Sequence, residues 1–216
     1  MPTRHLEVLI PAAKVSLPGT LTLPENASGV VAFAHGSGSS RHSPRNRYVA
    51  DALHAHRIAT LLFDLLTPRE DQTYETRFDI ALLTRRLLAA LEWLAGNEET
   101  KGMKIGCFGA STGAAAALQA AAKHPAIAAV VSRGGRPDLA GPQALTLVRA
   151  PTLLIVGSHD DDVIDLNQEA YALLRCEKKL EIVPGATHLF EEQGTLELAA
   201  EHAAKWFQSH FVATDN

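Results

Sequence analysis

A chain of 216 residues, 46% hydrophobic and 20% charged, can bury one substantial core and lacks the compositional bias of disordered or fibrous chains. Its net charge of −4 argues against nucleic acid or an anionic membrane surface as partner, and its two cysteines, Cys107 and Cys176, are too few for a disulfide scaffold. The opening MPTRHLEVLIPAAK lacks the basic flank and apolar centre of a secretory signal, and no run approaches the ~18 apolar residues of a membrane span, so the expectation is a cytoplasmic, soluble protein.

Residues 5–10 and 14–23 read as two extended segments joined near Pro11, with turn chemistry at Pro18-Gly19, and together as an antiparallel edge hairpin. Gly29–Ala34 is a short apolar run closed by His35-Gly36-Ser37-Gly38, the signature of a strand buried on both faces. The same signature returns at Ile58–Phe63, Lys104–Phe108, Ile127–Val131, Thr152–Val156 and Leu180–Val183. Helical patterns fill the gaps, near residues 44–56, 76–96, 112–123, 161–175 and 195–210. Strands alternating with helices imply right-handed crossovers and a mostly parallel sheet covered on both faces. The predicted fold is therefore a three-layer α/β/α sandwich of about eight strands with an N-terminal antiparallel hairpin, one domain over residues 1–216. Only about twenty residues separate Val131 from Thr152, too few for a large lid domain. Ligands of such sheets bind beyond the carboxyl ends of the strands, which selects the loops after residues 34, 63, 109, 132, 157 and 183.

The loop after 109 belongs to the five-residue pattern G-x-S-x-G, Gly109 to Gly113, with a strand before it and an alanine-rich helix after it. So tight a turn forces Ser111 into strained backbone, and side chains at 109 and 113 would collide with neighbouring backbone, hence glycine at both. Ser111 then stands out over the sheet, at a helix N-terminus with free N–H groups. A serine nucleophile needs a base, and the base an orienting carboxylate. Of ten histidines, His124 ends the helix after Ser111, roughly 20 Å away at ~1.5 Å rise per residue. His54, His56, His202 and His210 sit on or at the ends of other helices, whereas His188 follows the strand ending at Val183 and emerges at the same edge as Ser111. The carboxylate is expected in Gly157-Ser158-His159-Asp160-Asp161-Asp162, where Asp160 comes first after the strand and Asp161 and Asp162 suit the start of the next helix; Asp138 is the rival. The oxyanion donors are expected to be the N–H groups of Thr112 and Ser37. His35 is read as shaping the Ser37 loop by hydrogen bonding, and with Arg133 it completes the candidate substrate-binding residues. No metal or cofactor is called for.

Taken together, HGSGSS after the first parallel strand, GASTG at the nucleophile, GSHDDDV at the acid and GATHLF at the histidine resemble the α/β-hydrolase fold, and within it the dienelactone hydrolase-like family. That resemblance implies a triad of Ser111, Asp160 and His188 and an oxyanion hole of Ser37 and Thr112. The D-x-x-V spacing of such proteins matches Asp160–Val163. Dienelactone hydrolases carry cysteine as nucleophile. Serine at 111 points instead to a serine esterase acting on small carboxylic esters. A small-molecule receptor on the same scaffold, and an acyltransferase or perhydrolase on the same triad, are the competing readings. The loops bearing Arg41, Arg45, Arg47, Arg69, Arg77, Arg133 and Arg136 pose one further choice, between ion pairs with aspartates such as Asp64, Asp79 and Asp138 and capture of a substrate carboxylate. Arg133, directly after a strand, is the first choice for the second role.

Overall fold

The computed structural model describes residues 3–211. The chain opens with strands β1 (Arg4–Ala12) and β2 (Val15–Leu23), in which exposed and buried side chains alternate along much of their length. Such alternation suits an antiparallel ribbon with one wet face. They pair antiparallel, Arg4 opposite Leu23 and Ala12 opposite Val15. The turn falls at Ala13-Lys14, with Ala13 at φ 56°, so the expectation of a turn at Pro18-Gly19 is wrong. Pro18 and Gly19 lie inside β2. Gly19 faces Phe63 of the next strand, where an added Cβ would stand 3.0 Å from the Phe63 Cβ. Its small size lets two strands approach; it does not bend one.

The six apolar runs form β3 (Gly29–Ala34), β4 (Ala59–Phe63), β5 (Lys104–Ala110), β6 (Ile127–Arg133), β7 (Thr152–Gly157) and β8 (Lys178–Val183). Every residue of β3, β4 and β7 is buried, as continuous apolar runs require. The sheet order is β1-β2-β4-β3-β5-β6-β7-β8. Pairing is parallel from β4 through β8, and β2 joins β4 antiparallel. The chain travels outward from β3 to β4 and then returns to place β5 on the other flank of β3. The carboxyl ends of β3 and β5 therefore splay around a crevice, the place where open parallel sheets hold ligands.

Helices α1 (Pro44–Ala55) and α6 (Thr195–Phe211) pack on one face of the sheet. Helices α2 (Ile80–Gly96), α3 (Thr112–Lys123), α4 (Pro142–Leu147) and α5 (Asp161–Leu173) cover the other. Helix α2 starts later than the periodicity suggests. Asp79 caps it by accepting the Leu82 N–H at 2.9 Å, and the residues before it form short 3-10 turns. Among the described residues no helix is long and apolar enough to cross a membrane.

Candidate active site

A single residue joins β5 to α3. Ser111 sits there at φ 50°, ψ −121°, a region that side-chain-bearing residues rarely occupy. The flanking glycines are sterically compelled. A Cβ on Gly113 would lie 2.1 Å from the Ala34 carbonyl oxygen, and one on Gly109 would lie 2.4 Å from the Ala114 Cα. Helix α3 is thus pressed against β3, and the Ser111 carbonyl accepts N–H groups from Ala114 and Arg136, both at 3.1 Å. Backbone bonds of this kind hold the residue in a conformation it would not choose alone.

His188 and Asp160 meet across two loops. The His188 Nδ1–H donates to Asp160 Oδ2 at 2.7 Å, with the carboxylate mostly buried and the ring partly exposed. Asp160 stands at the N-terminus of α5 yet its side chain caps no backbone N–H, which leaves it for the histidine; Asp161 and Asp162 begin the helix. The rival Asp138 is instead bound by Arg136, at 2.7 and 2.9 Å. Two residues that sequence reasoning passed over hold these loops in register. Ser158 Oγ accepts the Gly185 N–H at 2.8 Å, tying the acid loop to the histidine loop. Glu192 accepts both the N–H and the hydroxyl of Thr187, at 3.0 and 2.6 Å, and closes the histidine loop on itself. Their signal was only a serine and a glutamate in loops, which pattern reading cannot separate from solvated residues.

Ser111, His188, Ser37 and Arg133 line one cavity of about 170 Å³, together with Arg45 and Asn46 from the start of α1. Ser111 and His188 thus share the cavity wall, and among the described residues no hydrogen bond joins the Ser111 hydroxyl to the imidazole. The Ser37 loop comes close. A Cβ on Gly36 would lie 3.2 Å from the Ser111 Cβ. Thr112 is the first residue of α3, where N–H groups have no partner within the helix, and neither its N–H nor that of Ser37 is bonded among the described residues. A larger hollow of about 410 Å³ lies between α1 and the hairpin; on its wall Arg41 is bonded to Glu7, and the His54 ring stands 3.5 Å from Asp51.

His35 is bonded through both ring nitrogens to the backbone around the Ser37 loop. Its Nδ1–H donates to the Gly36 carbonyl at 3.0 Å, and its Nε2 accepts the Leu65 N–H at 3.0 Å. Both nitrogens are spent on backbone, which fixes a neutral ring. Burial, the largest influence, pushes its pKa below the ordinary 6.5, against the opposing pull of the Gly36 bond, Asp64 and Asp71. Arg133 is buried, and its guanidinium lies 5.5 Å from the Phe190 ring.

Comparison with known proteins adds the lineage of this arrangement. The family model described as the dienelactone hydrolase family matches residues 46–212. The crystal structure of a dienelactone hydrolase from Anabaena variabilis superposes with a TM-score of 0.94 at 52% identity, over 97% of this chain and 99% of that one. An esterase of Pyrococcus furiosus shares the fold, with a TM-score of 0.82 at 19% identity over 97% and 92% of the two chains. A Mycobacterium tuberculosis protein named phosphoribosyl transferase is 56% identical over 210 residues, 97% of this chain. The match is 47% of that protein, so the chain spans about half the length of this relative.

Proposed function

The chain belongs to the dienelactone hydrolase family, within the α/β-hydrolase fold, and from that we propose that it cleaves small carboxylic esters through an acyl-enzyme on Ser111. The observation that carries this reading is the 2.7 Å bond from His188 to Asp160 at the wall of the cavity that also holds Ser111. With Nδ1–H given to the carboxylate, the free electron pair of His188 is on Nε2, the nitrogen suited to take the Ser111 proton. The alkoxide oxygen attacks the ester carbonyl, and the charge that develops is met by the N–H groups of Ser37 and Thr112. His188 returns the proton to the leaving alcohol. Water then repeats the sequence on the acyl-enzyme and frees the acid. Asp160 fixes the tautomer and offsets the imidazolium charge in both halves.

The name phosphoribosyl transferase attaches to a protein of which this chain spans about half, and the ester reading rests on residues inside the matched part. Treatment with a fluorophosphonate followed by peptide mass spectrometry tests the proposal. We expect a single adduct on Ser111 and loss of short-ester turnover by a factor of roughly 10³ or more in Ser111→Ala. A folded protein that takes no adduct at Ser111, or a Ser111→Ala variant that hydrolyses as fast as the parent, overturns it.

A further inference from the structure

One buried amide connects the nucleophile turn to the acid loop. Asn167 lies on α5, about two helical turns beyond Asp160, and is fully buried. Its Nδ2 donates to the Gly135 carbonyl at 3.0 Å and to the Val163 carbonyl, one turn back in the same helix, at 2.8 Å. The bond to Gly135 crosses from α5 to the loop after β6, and that loop touches the rest of the site. The Arg136 N–H, one residue on, donates to the Ser111 carbonyl at 3.1 Å, and the Gly134 N–H donates to the Ile155 carbonyl of β7 at 2.8 Å. A Cβ on Gly134 would lie 3.1 Å from the His188 carbonyl oxygen. The loop has no slack, because a Cβ on Gly135 would strike Ser132 Oγ and stand 2.7 Å from the Ala114 Cβ. At the start of the helix, the Asp160 carbonyl accepts the Ile164 N–H at 2.9 Å, so Asp160 moves with α5. Stability alone does not account for an asparagine here. It is a poor residue for a helix interior. Its Oδ1 is also sealed with no donor among the described residues, a cost that a leucine of similar size would not carry.

We propose that Asn167 is a positioning residue: its amide bond to Gly135 fixes α5, and with it the Asp160–His188 pair, at the separation from Ser111 that proton transfer requires. The inference rests on the ester-hydrolase reading of the same site. Each link is short and directional, from Asn167 to Gly135, through one peptide to Arg136, and from Arg136 to the Ser111 carbonyl. On the other side α5 carries Asp160, which holds His188 at 2.7 Å. Apolar packing between a helix and a loop is non-directional and tolerates sliding, whereas a buried hydrogen bond sets one register. The register matters because a misplacement of ~1 Å between reacting groups can cost about 10²-fold in rate.

The test measures Asn167→Leu and Asn167→Gln against the parent, with Thr100→Val as the control for lost stability. Thr100 is buried and donates to the Leu94 carbonyl ahead of β5, at the end of that strand opposite Ser111. Active sites are counted with a fluorophosphonate, and short-ester turnover is expressed per counted site. Asn167→Leu is expected to lose roughly 10- to 100-fold in kcat per site with KM within about twofold of the parent. Thr100→Val should match the parent per site, and Asn167→Gln, which keeps an amide donor, should recover part of the loss. A second readout needs no ester. In a Ser111→Cys background, the pH midpoint of iodoacetamide alkylation at position 111, followed by peptide mass spectrometry, reports how closely His188 approaches. A neighbouring imidazolium holds that midpoint below the ordinary thiol value of about 8.5, and adding Asn167→Leu should return it toward that value. Parent-like kcat per site or an unmoved midpoint in Asn167→Leu overturns the proposal. So does an Asn167→Gln variant no better than Asn167→Leu, or an ordinary midpoint in the background itself. Should Asn167→Leu fail to fold, Asn167→Ala, which removes the same donor without adding bulk, is held to the same outcomes. If the parent turns over no ester, the ester reading has failed separately, and the alkylation midpoints decide the role of Asn167 alone.

Discussion

Ser111 is held in a backbone conformation that costs the fold stability. Its positive φ costs of order 1–3 kcal/mol for a residue with a side chain, and the backbone bonds from Ala114 and Arg136 to its carbonyl hold it there. Replacing alanine by glycine in ordinary structure destabilises by about 1 kcal/mol. At position 111 the sign should reverse. We expect Ser111→Gly to be more stable than Ser111→Ala by about 1 kcal/mol in urea denaturation, because both lack the hydroxyl and only alanine keeps the strained Cβ. Equal or inverted midpoints would show that the turn is not strained. The strain itself was legible in the sequence, through the two glycines whose added Cβ atoms would strike Ala34 and Ala114. That Arg133 is buried with no hydrogen bond or ion pair among the described residues was not. Whether an arginine is paired depends on partners remote in the chain, as Arg45 and Glu191 show, and local pattern carries no trace of them.

At the scale of elements, the site is three loops stapled to a sheet edge, and one staple is sensitive to pH. His35 joins the Ser37 loop to Leu65, just beyond β4, only while its Nε2 is unprotonated and can accept the Leu65 N–H. Its folded pKa lies below 6.5, so between the two values the unfolded chain binds more protons than the folded one. Stability therefore rises with pH through this window and is fully present above about 6.5. Acidification from pH 7.5 to 5.5 should lower the unfolding free energy of the parent by more than that of His35→Asn. His54, also held below its ordinary value, chiefly by burial, contributes in both proteins and cancels in the comparison. Identical pH dependence in the two would remove His35 as the sensor. Element identity was legible where the pattern was plain, as in the continuous apolar run of β3 and the long helical period of α2. It failed where other forces acted: α4 is too short to show a stripe, and Pro18-Gly19 mimics a turn although Gly19 serves strand packing.

For the whole molecule, the sequence suggested one domain, and that is a statement about cooperativity. Two apolar cores lie on opposite faces of the sheet, one under α2 to α5 and one under α1 and α6. They are not two independent units, because β3, β5, β6 and β7 give side chains alternately to each: Val30 and Ala32 to the first, Val31 and Phe33 to the second. A strand cannot leave one core and stay in the other. The two tryptophans report on the two faces, Trp93 against the first core and Trp206 against the second. Variants retaining one tryptophan each, Trp206→Phe and Trp93→Phe, should each show one fluorescence transition. Each transition should coincide with that variant's own loss of far-ultraviolet circular dichroism. A tryptophan signal that moves before the circular dichroism in either variant would mean that its face opens alone. The cavity with Ser111 and Arg133 would then sit on a boundary between units. Coincidence would instead mean that the strain at Ser111 and the buried charge at Arg133 are both sustained by the stability of the entire fold, since neither face could relax to relieve them.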